Sequence, residues 1–515
     1  MRITNSIITN NTIRNVNINK STLDSLYTQL STGKLIQKAS ENPIIAIRAL
    51  RFRSEMSELQ QYLKKNIPDA RSWMTLTEDA LTSVDGMVKD MITYTVQATN
   101  GPLDTETKLS IINTMKQYRG QIHEDANATY SGRSIFTGYK TNSTMTFTHT
   151  DPTIKYDITE TFTPEDLDTV MTISNSVDAA TITNIPDAGM PKRHDTYRLR
   201  LSYDKVEPGE PEISYTDAQG APHTIQVKAL VSEDGKYYNA TYNTTTEKYE
   251  KTGTPINPYE IMANDNTNPN PDAYLIADTG EVVMNKAAYQ ELSQATSISM
   301  EYTKIGFEKG ELRPENYFGC TCTTNDGIEK KIEYSPNRQD INYTVNFNQT
   351  MKVNTEGRDV FKHDIIRDMD ELIDITQKTL DLEQKVKKLE NMQKDPSYSE
   401  AQQKDIETML AAAKKELDYS QDILVSMYGA ANTSLTAYQN TVVSEISDIG
   451  ARCTRLSLNE TRLGNQNNSL EELKSVNEDA DEAETIIHLT TAHNVYEASL
   501  SAASKLLSTS LLDYI

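Results

Sequence analysis

The sequence predicts an α+β protein: a long antiparallel α-helical coiled-coil core formed by the N- and C-terminal thirds, with a central β-rich inserted domain. Three observations carry this expectation. Ile45, Ala49, Phe52, Met56, Leu59, Leu63, Ala70, Trp73, Ala80, Val84, Met87, Met91, Tyr94 and Ala98 fall on one four-three ladder, with Asn66 and Thr77 its polar rungs. A second ladder runs Ile406, Leu410, Ala413, Leu417, Leu424, Met427, Ala431, Tyr438, Val442, Ile446 and Ile449. Between them, residues 144–354 are rich in Thr, Asn, Tyr, Pro and Gly. They hold short alternating runs, Tyr197 to Tyr203, Ile225 to Leu230 and Ile341 to Phe347, which have the period of strands between turns. Helical thirds on either side of an insertion pair antiparallel, so both chain ends meet at one end of the molecule.

In chain order, Ile13, Val16, Leu23, Tyr27 and Leu30 form a first apolar seam interrupted by Lys20, and Gly33 supplies a left-handed stop. Asn42 then caps a helix with Pro43 at its first position, where the missing N–H costs nothing. The long ladder follows, on the order of 80 Å at about 1.5 Å per residue. Pro68 crowds the carbonyl of Lys64, which predicts a kink or a break into two helices. Asp104 caps a further helix with Ile111, Met115, Tyr118, Ile122 and Ala126 inward. Helix returns at Asp359, is interrupted by Pro396, and resumes on the second ladder. In domains, residues 1–40 and 466–515 are terminal helices, 41–143 and 355–465 the long-helix region, and 144–354 the insertion.

The last segment, residues 466–515, carries a stripe too wide for one partner. Ile486, Leu489, Tyr496, Leu500, Ala503 and Leu507 make one seam, broken by His493, and Ala492, Val495, Ala502 and Leu506 make another beside it. Helices in water take most of their stability from packing, so this stripe calls for more than one neighbouring helix.

Composition narrows the function. Only 37% of the 515 residues are hydrophobic and the mean hydropathy is −0.60, which suits an elongated assembly better than one compact core. Lys+Arg 51 against Asp+Glu 74 leaves a net charge of −23 with no basic stripe, so nucleic acid is not an expected partner. No membrane partner is expected either, because no run approaches the ~18 apolar residues of a span, and no cleaved secretory signal is visible. Cys320 and Cys322, two apart on one strand face, lack the second ligand pair of a zinc site. Asp278-Thr279-Gly280 imitates an aspartic-protease loop, but the mechanism needs a second carboxylate, and a turn between strands explains it as well. His488 and His493 are five apart and do not share a helix face. No nucleophile elbow or phosphate loop is present, so neither an enzyme nor a cofactor is expected.

Several stretches carry a family resemblance. Gln29-Leu30-Ser31-Thr32-Gly33-Lys34 followed by Ala39-Ser40-Glu41-Asn42-Pro43 resembles the N-terminal signature of the bacterial flagellin superfamily. Asp69-Ala70-Arg71-Ser72-Trp73, Ile135 to Thr141 and the ending Ser510 to Ile515 are similar to its hook–filament junction branch, and Glu471 through Asp481 resembles the family's C-terminal helix start. The resemblance covers about residues 1–143 and 355–515 and departs at Pro68 and in the length of the insertion. It implies a structural adaptor outside the cell, exported without a cleaved signal by the flagellar type III system. It also implies terminal helices that order when subunits stack. The implied partners are further copies in a ring or helical assembly, hook-associated protein 1 below, flagellin above, and an export chaperone on the C-terminal helix. Ile13, Val16, Leu23, Tyr27 and Leu30 then form the N-terminal assembly seam. Ile486, Leu489, Val495, Tyr496, Leu500, Ala503, Leu507, Leu511 and Leu512 form the C-terminal one. A filament flagellin is the alternative, and an insertion active in its own right is a third possibility.

Overall fold

A computed structural model describes residues 5–101, 103–243, 248–263, 271–325 and 329–508. It shows helical arms at both chain ends and a β-rich centre, an α+β fold. The chain divides into two compact units, the first drawn from Met1–Arg71, Tyr343–Met351 and Cys453–Ile515, the second from Ser72–Asn342 and Lys352–Arg452.

The N-terminal arm has four long helices: α1 (Asn5–Thr32), α2 (Pro43–Gln61), α3 (Ile67–Thr99) and α4 (Thr105–Ala126). Local chemistry sets each boundary. Gly33, at φ +66, closes α1 in a conformation glycine adopts without strain. The Asn42 side chain accepts from the N–H groups of Ile44 and Ile45 to open α2, and Asp104 accepts from Thr107 N–H to open α4. Pro68 does not end the helical path. A single π turn, Tyr62–Asn66, joins α2 to α3, and Ile67 N–H donates to the carbonyl of Tyr62 five residues back. The wider turn reroutes the backbone bonds just ahead of the proline ring, with helical dihedrals kept on both sides.

The C-terminal arm holds α5 (His363–Lys394), α6 (Glu400–Glu478) and α7 (Glu482–Ser508). α6 runs unbroken for 79 residues, through the boundary the sequence placed at 465/466. Polar residues after Ile449 weaken the seam there, but no proline or cap stops the helix. The break comes at Asp481, whose carboxylate accepts from the N–H groups of Ala483 and Glu484 and so starts α7.

In the second unit the arms pack antiparallel. Asp85 of α3 accepts from Gln439 of α6 (3.1 Å) and Thr95 donates to Asn432 (3.2 Å), while Lys108 and Arg119 of α4 pair with Glu383 and Asp370 of α5. The insertion is mainly one twelve-stranded sheet. Its strands are β1 (Asp151–Phe162), β2 (Leu167–Ser174), β3 (Lys192–Arg200), β4 (Glu212–Thr216), β5 (Pro222–Glu233), β6 (Lys236–Asn243), β7 (Lys248–Ile256), β8 (Ala273–Ile276), β9 (Glu281–Met284), β10 (Ser297–Phe307), β11 (Gly319–Asn325) and β12 (Glu329–Tyr334). The order is β12-β11-β1-β10-β4-β5-β8-β9-β3-β2, with β6 and β7 branching from β5. The β5–β8 pairing is parallel and the others are antiparallel.

This sheet is tied to α5. Arg198 and Arg200 of β3 form a buried cluster with Asp168, Glu281, Asp368 and Glu371. Burial alone would raise the Glu371 carboxyl, but the two guanidinium groups hold it down at about 2. Val177, in the loop after β2, packs with Val386, Leu389, Met409 and Leu410 of the α5–α6 hairpin. Cys320 and Cys322 of β11 are buried free thiols, Cys320 pushed up to about 12 by burial. Asp278-Thr279-Gly280 is the turn between β8 and β9, and the Asp278 carboxylate accepts from Ser232 N–H (2.7 Å).

Candidate assembly surface

In the first unit α1 and α7 run antiparallel, as the Asn19–Ser499 hydrogen bond and the Lys34–Asp479 bridge record. The loop signature from Gln29 to Pro43 builds the joint that holds them. Gln29 donates to Leu35 O (2.8 Å), and the Glu41 carboxylate accepts from Gln37 N–H (2.8 Å). Leu35 N–H donates to Glu478 O and Ala480 N–H to Gly33 O, fixing the α6–α7 corner against the loop. Glu478, with a side chain only 4% exposed, pairs with Lys34 (3.2 Å) and Arg53 (2.6 Å). Hydrogen bonding to Asp479 raises the Lys34 ammonium and lowers the Asp479 carboxyl in turn, so the corner is held as ion pairs at neutral pH. Further on, Arg71 pairs with Glu460, keeping α2, the start of α3 and the end of α6 antiparallel.

Burial along the α1–α7 pair shows which face each helix uses. On α1 the positions spaced three and four apart, Thr9, Thr12, Val16, Asn19, Leu23, Leu26 and Leu30, are partly covered, as are Thr28 and Gln29 near its end. On α7 they are Thr485, Leu489, Ala492, Tyr496, Ser499 and Ala503. The residues of the expected assembly seams divide between the two faces. Val16, Leu23 and Leu30, and Leu489, Tyr496 and Ala503, do face inward. Ile13 (46% exposed), Tyr27 (50%), Ile486 (50%), Val495 and Leu500 (44%) remain on the surface. The physical reason is register. Each helix has one central line, 16-23-30 or 489-496-503, with a flank on either side; the covered flank holds Thr12, Asn19 and Leu26 on α1 and Thr485, Ala492 and Ser499 on α7. The more apolar flanks, Ile13-Lys20-Tyr27 and Ile486-His493-Leu500, stay outside. The side chain of Leu507 and the whole of Leu511 and Leu512 lie outside the described residues.

Sequence reasoning missed a second exposed group in this unit. Ile44, Ile47 and Leu50 of α2 stand 62–65% exposed while Ala46, Ala49 and Met56 face inward. Leu458, Leu473 and Val476 of α6 are exposed too. Apolar side chains gathered this densely on the outside of helices mark an interaction surface rather than the scattered exposure of an ordinary soluble chain. The signal was present as Ile44 and Ile47 lying off the ladder that begins at Ile45. Among the described residues no helix is long and apolar enough to cross a membrane.

The first unit thus has antiparallel terminal helices, an ion-paired corner and uncovered apolar flanks. The arms resemble the flagellin superfamily: residues 3–141 match the bacterial flagellin N-terminal helical region and residues 433–515 the bacterial flagellin C-terminal helical region. Within that superfamily the chain is similar to flagellar hook-associated protein 3 of Salmonella typhimurium, 28% identical over 28% of this chain and 45% of that one. It is also similar to flagellar hook-associated protein 3 of Escherichia coli, 32% identical over 22% of this chain and 36% of that one. The matches thus span less than half the length of these relatives. Among solved structures, the flagellar junction protein FlgL of Legionella pneumophila aligns over 85% of this chain and 100% of that one, at 11% identity and a TM-score of 0.28.

Proposed function

We propose that this chain is the adaptor of the hook–filament junction of a bacterial flagellum, a structural subunit exported by the flagellar type III system. The observation that carries the reading is the pair of uncovered apolar flanks on α1 and α7, together with the likeness to flagellar hook-associated protein 3. Side chains near half exposure gain burial only when neighbours arrive, and a helical stack of subunits supplies neighbours on several sides at once. In this reading residues 1–40 and 466–515 are the self-packing helices, with the corner at Asp479–Asp481 rather than at 466. Residues 41–143 and 355–465 support them, and 144–354 is the inserted domain. The partners are further copies of the chain, hook-associated protein 1 below and flagellin above. An export chaperone covers the C-terminal flank, Leu500 included, before assembly.

A filament flagellin is the second reading, favoured by the flagellin descriptions of both terminal regions. Deleting the gene, imaging the cells by electron microscopy and blotting the medium for the major flagellin separates the two. The adaptor reading expects bare hooks with abundant flagellin in the medium. Hooks without filaments and no flagellin in the medium would make this chain the filament subunit and overturn the proposal.

A further inference from the structure

Lys304, in β10, is an unusual lysine: its side chain is 1% exposed. Its ammonium Nζ lies 2.7 Å from Asp204 O, 3.3 Å from Asp204 Oδ1 and 3.0 Å from Glu311 Oε1. The rings of Tyr203 and Phe307 stand over it at 5.6 and 5.3 Å, and Phe307 stacks on Phe147 behind it. The lysine is sealed in an aromatic box with two carboxylates.

The backbone holds these groups in place. The segment after Tyr203 runs antiparallel beside β10: Val206 bridges Lys304 and Glu207 N–H donates to Thr303 O (2.8 Å). Lys205, at φ +50, turns the chain, and its N–H donates to Asp278 O while Val206 N–H donates to Ala277 O. The turn sits against Gly280 so closely that a Cβ there would come within 2.0 Å of Tyr203 O. On the far side, the Glu311 carboxylate accepts from Glu308 N–H (2.6 Å), and its backbone carbonyl accepts from Phe147 N–H. Burial pushes the Glu311 carboxyl up, the ammonium of Lys304 only partly opposing it.

The buried ammonium sits against the largely buried Glu311 and the partly exposed Asp204 carboxylate, and condensation to a neutral amide removes one charge of each sign. The geometry points to an intramolecular isopeptide bond between Lys304 Nζ and Asp204 Cγ, formed by the folded chain itself with Glu311 as proton carrier. Glu311 takes a proton from the ammonium, and the freed amine attacks Cγ of Asp204. The C–N bond forms, one C–O bond of the carboxyl breaks, and two of the three ammonium protons leave on the departing oxygen as water. Glu311 ends as it began, and no oxidant or reductant is needed. The Asp204 side chain is 41% exposed, so water can escape on that side while the amine stays sealed. The bond would tie the β3–β4 connection to β10, in a sheet whose Cys320 and Cys322 are free thiols.

Intact-mass measurement of the purified, denatured full-length protein tests this directly. The expected result is a mass one water below that of the sequence, with a branched tryptic peptide joining the Lys304 and Asp204 segments. Lys304→Arg and Asp204→Ala should each lose that branched peptide. Glu311→Gln, which keeps the shape of the pocket, should restore the unlinked mass in a chain with unchanged circular dichroism. A wild-type chain of full sequence mass after complete folding would leave Lys304 an ordinary buried ion pair and overturn the proposal. A branched peptide to Glu311 in place of Asp204 would overturn the roles.

Discussion

Replacing Ile486 and Leu500 together by glutamine separates assembly from folding. Both stand about half exposed on the outer flank of α7. Glutamine keeps the helix propensity of leucine and an aliphatic stem that covers the same turn, so the free chain should change by no more than ~0.5 kcal/mol. Contact with a neighbour is another matter. Full burial of such a side chain contributes ~1.5–3 kcal/mol, so the uncovered half represents about 1 kcal/mol at each site. An amide forced into the contact without a partner costs about 1 kcal/mol or more besides. The double variant should therefore weaken each neighbour contact by roughly 4 kcal/mol, about a thousandfold. In cells carrying only this variant, electron microscopy should show few filament-bearing hooks. The protein should still be exported, and the purified chain should keep wild-type helicity and melting. Filaments at the wild-type frequency would refute the outer-flank argument. Loss of helicity in the purified chain would mean these side chains serve the subunit's own fold.

Three further outcomes follow from the same geometry. Glu371, held down at about 2 against 4.5 when unfolded, contributes stability that is fully present above pH 4.5 and lost as pH falls toward 2; Glu371→Gln should flatten that limb of an acid melt. The same change should destabilise the chain at pH 7 by ~3–5 kcal/mol, because Arg198 and Arg200 lose a buried partner. Asn42→Ala removes the cap of α2 and should cost ~1 kcal/mol, read as faster hydrogen exchange at Ile44 and Ile45. Deleting residues 144–354 strips Arg198 and Arg200 from Asp368 and Glu371 and Val177 from the α5–α6 hairpin, so limited proteolysis should find α5 newly sensitive. A deletion product as resistant as the full chain would show that the insertion is a detachable ornament.

The helical elements were legible because their signals are local. Asn42-Pro43, Asp104 and Gly33 set boundaries by hydrogen bonds and dihedrals that a short stretch contains. Pro68 was read correctly as a disturbance, but its form, one π turn, depends on how the helix is held on both sides. The domain boundary expected at 465/466 falls inside α6, which ends only where Asp481 competes for the N–H groups that follow. The strand order of the insertion was not legible. Neighbours such as β1 and β10 lie more than a hundred residues apart in the chain, and alternation gives a face to each strand without naming its partner.

The assembly seam shows the same limit in its most instructive form. Ladder reading found Ile13, Tyr27, Ile486 and Leu500 because they are apolar at helical spacing, and assigned them to a seam that waits for neighbouring chains or for the chain's own other end. A helix with two flanks around one central line offers two such ladders, and apolarity alone does not decide which is used within the chain. Here the subunit keeps Thr12, Asn19, Thr485 and Ser499 in its own contact and leaves the greasier flank free. The polar members of this inner contact, Thr12, Asn19, Thr485 and Ser499, must find partners such as the Asn19–Ser499 bond. An inverted arrangement, with Ile13 facing Leu500 inside, would give a self-sufficient hairpin with nothing left to offer a neighbour. In the proposed assembly, burying the poorer flank inside the subunit and reserving the richer one would make the terminal helices' stability depend on several neighbours at once.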